Sequence, residues 1–553
     1  MKRIIGVLIL GLLLIITAYL SANWWISNNL QTLINSNPER AYDITYDKLD
    51  IHLLLKGVRI QNLTIQPVDK EAKNPITVSV AEAEIRGLRW QELLTNQAVK
   101  IGEMTFIEPD FEIVLDTASS DQSPNAAKNL QYLFGDVLSR ADVEKFTLRD
   151  GSARARMPNE EKYFARLNKL NLFADKIETD SLQWKHLIPF EVDQFYSKVE
   201  GVSIQLDSSR TFSCEQIEYS LYDSKLAISN ASIDFLKDWR YISSEVGVQT
   251  DLINFQIKSL EINQLDTESK LSGDLDIRAQ SVVLDSLVFN DYRDKNQPNP
   301  PDQNKPLFGG LVASIPFPLK VDTVLIRNSQ ITYHELGEEK KEPGAISFNN
   351  TYGSIYNITT IPSFQSQFGQ FEADLITLIN RQAKAQIRLE VPYVNEQFRM
   401  SVAIDSFYLA SLNSVIVPLV DVQANAGKVH KMLLSMNADE FSSKNQLVLD
   451  YDDLNIKLLK ENTNPQAKKK KKRKKRGVLS SVANLAIRHR NLPDDKNYVL
   501  ADYRTQRNVY RGAFNLIWVS IKEGMAMIIP TQAAQAVLSD NRKLKKRKKE
   551  QID

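Results

Sequence analysis

The sequence has 553 residues, of which 43% are hydrophobic and 25% are charged, so most of the chain can bury a core. The net charge of +1 hides two basic runs, residues 468–476 and 542–549, so local charge says more about partners than the total. The single cysteine, Cys214, excludes an intramolecular disulfide and a cysteine-based metal site. We expect Cys214 to be a buried apolar residue.

The N-terminus has the features of an uncleaved membrane anchor. Two basic residues precede an apolar segment, residues 4–20, and a tryptophan pair follows at the place of an interfacial aromatic belt. The positive flank predicts a cytoplasmic N-terminus and an exported remainder. A cleaved signal peptide is the alternative, but the apolar segment is long for one and no clear A-x-A site follows. The predicted anchor residues are Ile4, Leu8, Leu12, Ile16, Leu20, Trp24 and Trp25.

Hydrophobic residues alternate with polar ones through most of the chain between residues 42 and 460, for example in residues 76–80 and 387–391. This period of two predicts half-buried β-strands with one apolar face. Helical patterns are few and cover residues 25–34, 129–139 and 409–422. Residues 117–128 and the proline-rich residues 294–306 predict loops.

A weak internal repeat recurs at irregular intervals among these strands. Its copies match at the same offsets: Ile101, Met104, Phe106, Glu108, Phe111 and Ile113; Val143, Phe146, Leu148, Asp150, Ala153 and Ala155; Val321, Val324, Ile326, Asn328, Ile331 and Tyr333; and Leu55, Val58, Ile60, Asn62 and Ile65. The polar residue predicts a turn between two strands of a hairpin. Chance similarity among strands is the alternative.

The sequence contains no signature of catalysis. Its five histidines form no metal-binding pair, and it has no phosphate-binding glycine loop and no nucleophile elbow. We therefore predict a protein that is not an enzyme, with no catalytic residue, no metal and no cofactor.

The basic run predicts contact with an anionic phospholipid membrane; a solvated linker is the alternative, and the exported topology argues against nucleic acid. Its residues are Lys468, Lys469, Lys470, Lys471, Lys472, Arg473, Lys474, Lys475 and Arg476. A helix with apolar residues at helical spacing and basic residues around them follows it. The residues that predict it are Val509, Phe514, Leu516, Ile517, Trp518 and Ile521. Such a helix either lies in a membrane interface or caps the end of the sheet.

Residues 51–67 (IHLLLKGVRIQNLTIQP), just after the anchor, resemble the start of AsmA-like proteins of Gram-negative envelopes. Residues 316–333 and 343–358 are similar to the later half of such proteins, particularly Bacteroidetes-type members, as are residues 412–422, 428–436 and 445–457. The resemblance covers roughly residues 1–460, and it lies in strand patterns that are not catalytic signatures.

The resemblance implies a bacterial inner-membrane protein with its bulk in the periplasm. It implies a mainly β fold: a long, curled antiparallel sheet whose apolar groove would bind or conduct phospholipid in support of outer-membrane lipid homeostasis. The alternatives are a face that packs on a second layer, and a non-enzymatic assembly factor that contacts envelope proteins. The expected divisions are an anchor (1–25), the β-groove region (26–460, with a loop near 294–306), a basic linker (461–507), an amphipathic helix (508–530) and a basic tail (531–553).

Overall fold

The structure is a computed structural model of the chain. It describes residues 42–52, 57–69, 75–89, 99–115, 141–176, 193–266, 276–459 and 486–531, together with a few single residues near the N-terminus (17, 20, 21, 24, 31, 32 and 35) and Ala534. The anchor residues Ile4, Leu8, Leu12, Ile16 and Trp25 lie outside the described residues, as do Leu55, the basic runs 468–476 and 542–549, and the predicted loop 117–128 and helix 129–139.

The described fold is mainly β, as the period of two predicts. Its 21 strands belong to one mixed sheet, and the helices among the described residues are few. The chain divides into two compact units: the first comprises residues 1–231 and 261–278, and the second comprises residues 232–260 and 279–553.

The first unit contains nine complete strands that pair in a nearly sequential series. They are β1 (Tyr42–Thr45), β2 (Lys48–His52), β3 (Gly57–Pro67), β4 (Ile76–Arg86), β5 (Val99–Val114), β6 (Ala141–Arg156), β7 (Tyr163–Asp175), β8 (Gln194–Gln205) and β9 (Arg210–Ser220). Strands β1 and β2 both pair with β3, and from β3 each strand pairs with the next. The unit boundary falls within β10 (Lys225–Phe235), β11 (Asp251–Leu265) and β12 (Ile277–Asp294).

The prediction of an antiparallel sheet is wrong for one pair of this unit. Strands β5 and β6 are parallel, and residues 115–140 connect them. A parallel pair needs a crossover of about a dozen residues or more, which this connection provides. The predicted curl is not shown either, because the pairings within the unit form an open linear series.

The repeat is a feature within long strands, so its interpretation as a hairpin is wrong. Each polar residue lies inside one strand with a left-handed backbone: φ is 53° at Asn62, 51° at Glu108, 53° at Asp150 and 47° at Asn328. Two copies are also neighbours in the sheet, since the positions matched in the repeat pair directly across β5 and β6. The paired positions are Ile101 with Val143, Met104 with Phe146, Phe106 with Leu148, Phe111 with Ala153, and Ile113 with Ala155.

The left-handed residue explains the odd spacing of the repeat. Apolar residues precede it by four and two positions and follow it by three and five, so a regular strand would place the two sets on opposite faces. An irregularity that adds one residue returns the second set to the first face. In β5, Met104 and Phe106 are buried before Glu108, and Phe111 and Ile113 are buried after it. We call such a position a slip.

The slips of the first unit lie on one line across the strands. Residues flanking Asn62 pair with residues flanking Ala81, and those pair in turn with residues flanking Glu108. The line continues through Asp150 on β6. On β7, β8 and β9 it passes Lys169, Glu200 and Gln216, because Lys169 pairs with Glu200 and Glu200 pairs with Gln216. The alternation of faces therefore changes at the same height in neighbouring strands, and one face stays apolar throughout.

The second unit contains the remaining strands, which are β13 (Leu319–Leu336), β14 (Gly344–Thr359), β15 (Gln370–Ile379), β16 (Ala383–Pro392), β17 (Phe398–Ile404), β18 (Phe407–Tyr408), β19 (Val422–Ala438), β20 (Ser442–Leu458) and β21 (Ala501–Gln506). Strands β13 to β17 pair in sequence, β17 and β18 pair with β19, and β19 is followed by β20 and β21.

The neighbouring strands β12 and β13 are a second parallel pair. Three contacts join β12 to β13: Asn328 to Asp285, Leu287 to Ser329, and Lys295 to Glu335. Their sequence separations are 43, 42 and 40, nearly constant as in parallel strands.

The helices of the second unit whose bounds fall among the described residues are α1 (Trp239–Val246), α2 (Phe308–Ala313), α3 (Pro362–Phe368), α4 (Asn413–Val420) and α5 (Ala513–Ile528). The helix predicted at residues 409–422 is confirmed as a 3-10 turn, Leu409–Leu412, followed by α4. The loop predicted at residues 294–306 is also present, and the side chain of Gln249 donates a hydrogen bond of 3.0 Å to the carbonyl of Gln297 there.

Candidate functional site

One face of the first unit carries a continuous apolar layer. On β3 to β6 most of this layer is at most 8% exposed, while Ile85 and Ala153 are half-buried. Its buried residues are Val58, Ile60, Leu63, Ile65, Ile76, Val78, Val80, Ala83, Ile101, Met104, Phe106, Phe111, Ile113, Val143, Phe146, Leu148 and Ala155. Cys214 is 3% exposed, as predicted, and burial raises the pKa of its thiol.

On β7 to β9 Ala174, Phe195, Cys214 and Tyr219 are buried, while the rest of the same layer is half-buried. The half-buried part is organised in rows that cross the strands. Leu170 pairs with Val199, which pairs with Ile217. A second row joins Ala165, Ile204 and Phe212, and all six of these side chains are half-buried. We call this half-buried part the apolar face of β7–β9; it is an apolar surface that a ligand can reach.

The opposite face of the same strands is polar and charged. Arg59 donates a hydrogen bond of 2.7 Å to Glu84, and this bond lowers the pKa of Glu84. Arg154 lies 3.0 Å from Asp110, and Arg156 lies 3.0 Å from Glu112. The sheet therefore presents one face to water through ion pairs and the other to apolar groups.

The apolar face of β7–β9 has the dimensions of an acyl chain. Along β7 it extends from Ala165 to Leu172, which at about 3.3 Å per residue is roughly 23 Å. Half of a bilayer's hydrocarbon core, the depth that one acyl chain fills, is about 15 Å. The face is thus long enough to accommodate an extended acyl chain.

The second unit contains a polar cluster on β11, β12 and β13. Arg293 pairs with Asp251 at 2.9 Å, and Lys295 pairs with Glu335 at 2.6 Å. Asp291 is the exception: its Oδ1 atom is buried without a hydrogen-bond partner in the described part of the chain. Burial, aided by the nearby Asp251 carboxylate, raises the pKa of Asp291 to about 7.

Asp291 predicts a pH dependence of stability. In the unfolded chain this carboxyl loses its proton near its ordinary pKa of 3.8, while in the folded chain it keeps the proton until about pH 7. Between these values the unfolded state binds fewer protons, so the free energy of unfolding falls as pH rises from about 4 to about 7. We expect Asp291→Asn to flatten this decline in urea unfolding measured from pH 4.5 to 8. The exposed control Asp502→Asn should retain the wild-type slope, and a parallel decline in both variants would contradict the assignment.

Of the predicted anchor, the structure describes Leu20 and Trp24. Both are helical, and they are 58% and 69% exposed. No helix within the described ranges is long and apolar enough to cross a membrane. The anchor, the basic run and their membrane contacts stay predictions.

The predicted helix near the C-terminus begins at Ala513, and Val509 lies before it. One face packs against β20 and β21, and Leu516 is 2% exposed there. The opposite face exposes Phe514 (72%) and Trp518 (43%), while Ile517 and Ile521 are half-buried between the two faces. The helix thus covers part of the sheet and also leaves an aromatic surface free.

Sequence reasoning missed the small residues on the buried face of α5. The Ser520 hydroxyl lies 3.1 Å from that of Ser443, and a Cβ at Gly524 would lie 2.5 Å from the Tyr503 hydroxyl oxygen. Small residues allow this close approach of helix and sheet. The helical spacing of serine and glycine with Leu516 and Ile528 was the available signal.

Further slips were also missed, at Asn230, Gln264, Ser286, Asn350 and Asp453, where φ lies between 47° and 56°. Their signal is present in the sequence, since apolar residues precede each by four and two positions.

Comparison of the sequence with models of known protein families finds no match, and comparison with curated proteins finds none either. In the part of the chain that the structure describes, no group of three His, Cys, Asp or Glu side chains is placed to hold a metal ion.

Proposed function

We propose that the protein is a membrane-anchored, AsmA-like envelope protein whose apolar face of β7–β9 binds phospholipid acyl chains. The observation that carries this proposal is the layer itself, which is mostly buried on β3 to β6 and has two half-buried rows on β7 to β9. An apolar face of this length, on the side of the sheet opposite the charged face, favours a ligand with an acyl chain.

The anchor and the location are part of the same proposal. Residues 4–20 would hold the N-terminus in the bacterial inner membrane, with the two units in the periplasm. Leu20 and Trp24, which are exposed, would face the bilayer and its interface in this arrangement. Bound phospholipid would then contribute to the lipid homeostasis of the outer membrane.

Site-specific photo-crosslinking in cells tests this proposal directly. A photoreactive amino acid placed at Leu170, Val199 or Ile217 should form adducts with phospholipid that mass spectrometry detects on the purified protein. These three positions form one row of the apolar face of β7–β9, so all three should react.

Matched controls lie one residue away on the charged face. Asn171 pairs with Lys198, which pairs with Glu218, and these positions should give no lipid adduct. Equal labelling from both faces would contradict a specific lipid site. Protein adducts in place of lipid adducts from the apolar row would favour the rival function, an assembly factor that contacts envelope proteins.

A further inference from the structure

Several turns and a helix start converge at one end of the second unit. The β16–β17 turn, the β19–β20 turn and the end of β21 lie together, because Phe398 pairs with Ala438 and Ser442 pairs with Gln506. Helix α2 joins them, since the backbone N–H of Leu307 donates a hydrogen bond of 2.9 Å to Glu396 in the β16–β17 turn.

Arg507 holds these segments in place. Its guanidinium donates hydrogen bonds to the carbonyl oxygens of Glu440, Lys305 and Arg511, which belong to three different segments. Phe308 on α2 contacts Phe398 on β17 and Phe514 on α5, with ring centroids 5.0 and 5.4 Å apart. These hydrogen bonds and ring contacts join the segments at the end of the unit into one surface.

This surface exposes large apolar side chains on each of its segments. Val394 is 83% exposed, Phe514 72%, Phe441 64%, Leu311 46% and Tyr510 44%. We call these five residues the apolar end. They project from two turns, α2, the segment before α5 and α5 itself, and the aromatic surface continues along α5 to Trp518.

Cations without acidic partners surround the apolar end. Among the described residues, Lys305, Arg511 and Lys522 form no ion pair, and Lys522 lies 5.9 Å from the ring centroid of Trp518. The nearby carboxylates of Glu396 and Asp439 accept hydrogen bonds from backbone N–H groups. Asp439 also lies 3.7 Å from Arg504, and its side chain is 43% exposed. Glu440, the next residue, is exposed as well.

We propose that the apolar end docks on the surface of an anionic phospholipid bilayer. Projecting aromatic and aliphatic side chains amid cations have the composition that enters a membrane interface, where the cations remain at headgroup level. The centre of a protein interface is instead depleted of charge. This inference goes beyond lipid binding by the first unit and does not depend on it.

Fluorescence of the full chain, held in nanodiscs, tests the inference. Cys214 is buried, so Val394→Cys and Phe441→Cys can each be labelled with an environment-sensitive NBD dye. Vesicles of phosphatidylcholine with phosphatidylglycerol should shift the emission to the blue, and spin-labelled lipids in the vesicles or in the disc should quench it. A dye at Tyr222→Cys, an 85% exposed turn position in the first unit, should be unaffected.

Substitutions supply the second measurement. Phe441→Asp and Phe514→Asp should each weaken vesicle binding about tenfold, whereas Tyr222→Asp should leave it unchanged. Pure phosphatidylcholine vesicles should bind more weakly than anionic ones. Three results would each overturn the inference. They are no quenching by spin-labelled lipids in either the vesicles or the disc, an equal loss of vesicle binding with Tyr222→Asp, and a dye response that requires an added envelope protein. Photo-adducts at Leu170 report the first unit separately, so the two proposals can fail independently.

Discussion

Deletion of Glu108 is expected to unfold the first unit. The neighbours β4 and β6 change faces at the same height, so β5 must still slip there. With one residue fewer, the second half of β5 shifts by one position against both neighbours, and its faces exchange. Phe111 and Ile113, which are 3% and 7% exposed, would turn to the charged face, and Asp110 and Glu112 would enter the apolar layer. Lost burial and two carboxylates without partners together cost more than about 5 kcal/mol, comparable with the whole stability of a domain.

Cys214 provides the measurement, because this thiol is the only one in the sequence and is buried in the same unit. Reaction with a thiol reagent along a urea series should occur without denaturant in the deletion variant and only in denaturant for the wild type.

Substitutions at Glu108 separate the slip from the side chain. Glu108→Asn and Glu108→Gly should stay within about 1 kcal/mol of the wild type, because both residues tolerate a left-handed backbone. Glu108→Val should cost roughly 1–2 kcal/mol, since a β-branched residue is strained there. Wild-type protection of Cys214 in the deletion variant would refute this account of the repeat.

Replacing Lys340 with methionine is expected to destabilise the second unit by roughly 1.5–3 kcal/mol, the contribution of a hydrogen bond to a charged group. The Lys340 ammonium lies 2.5 Å from an oxygen of Asp421, and the two side chains are 12% and 15% exposed. Asp421 also ends α4, where its backbone N–H donates a hydrogen bond to the carbonyl of Val417. Removal of the cation leaves a half-buried carboxylate without its ion pair. Hydrogen exchange of residues 413–420 should accelerate, as mass spectrometry can measure.

An exposed ion pair in the same unit is the control. Arg388 lies 2.8 Å from Asp374, and the two side chains are 65% and 45% exposed. Arg388→Met should change stability by less than about 1 kcal/mol. The double variant Lys340→Met with Asp421→Asn should recover part of the loss, because it also removes the charge. Equal losses of stability from Lys340→Met and Arg388→Met would show that the lower exposure of the Lys340–Asp421 pair adds nothing to its contribution.

The strand content was predictable because alternation of apolar and polar residues follows directly from strand geometry. The pairing was not, since parallel and antiparallel strands share that period, and β5 and β6 therefore read as an ordinary antiparallel pair. The slips looked like hairpin turns because a polar residue and a change of phase occur in both. The sequence pattern around Asp150 is the same whether this residue lies inside a strand or in a turn.

The candidate sites were predictable to different degrees. The aromatic face of α5 follows from the spacing of Phe514 and Trp518 on one helix, and the structure adds that Leu516 faces the sheet. The apolar end could not be read from the sequence, because Leu311, Val394 and Phe441 come from segments far apart in the chain. Folding alone brings them together.

The slips also bear on aggregation. Strands as long as β5 and β12, with 16 and 18 residues, would offer extended flat templates if they were regular. Amyloid growth requires flat segments that stack in register with identical copies, and irregular, twisted strands with charged side chains oppose such stacking. Glu108 and Asp150 interrupt their strands with a left-handed residue that also carries charge. The residues that keep the sheet apolar on one side therefore also protect it against fibril formation.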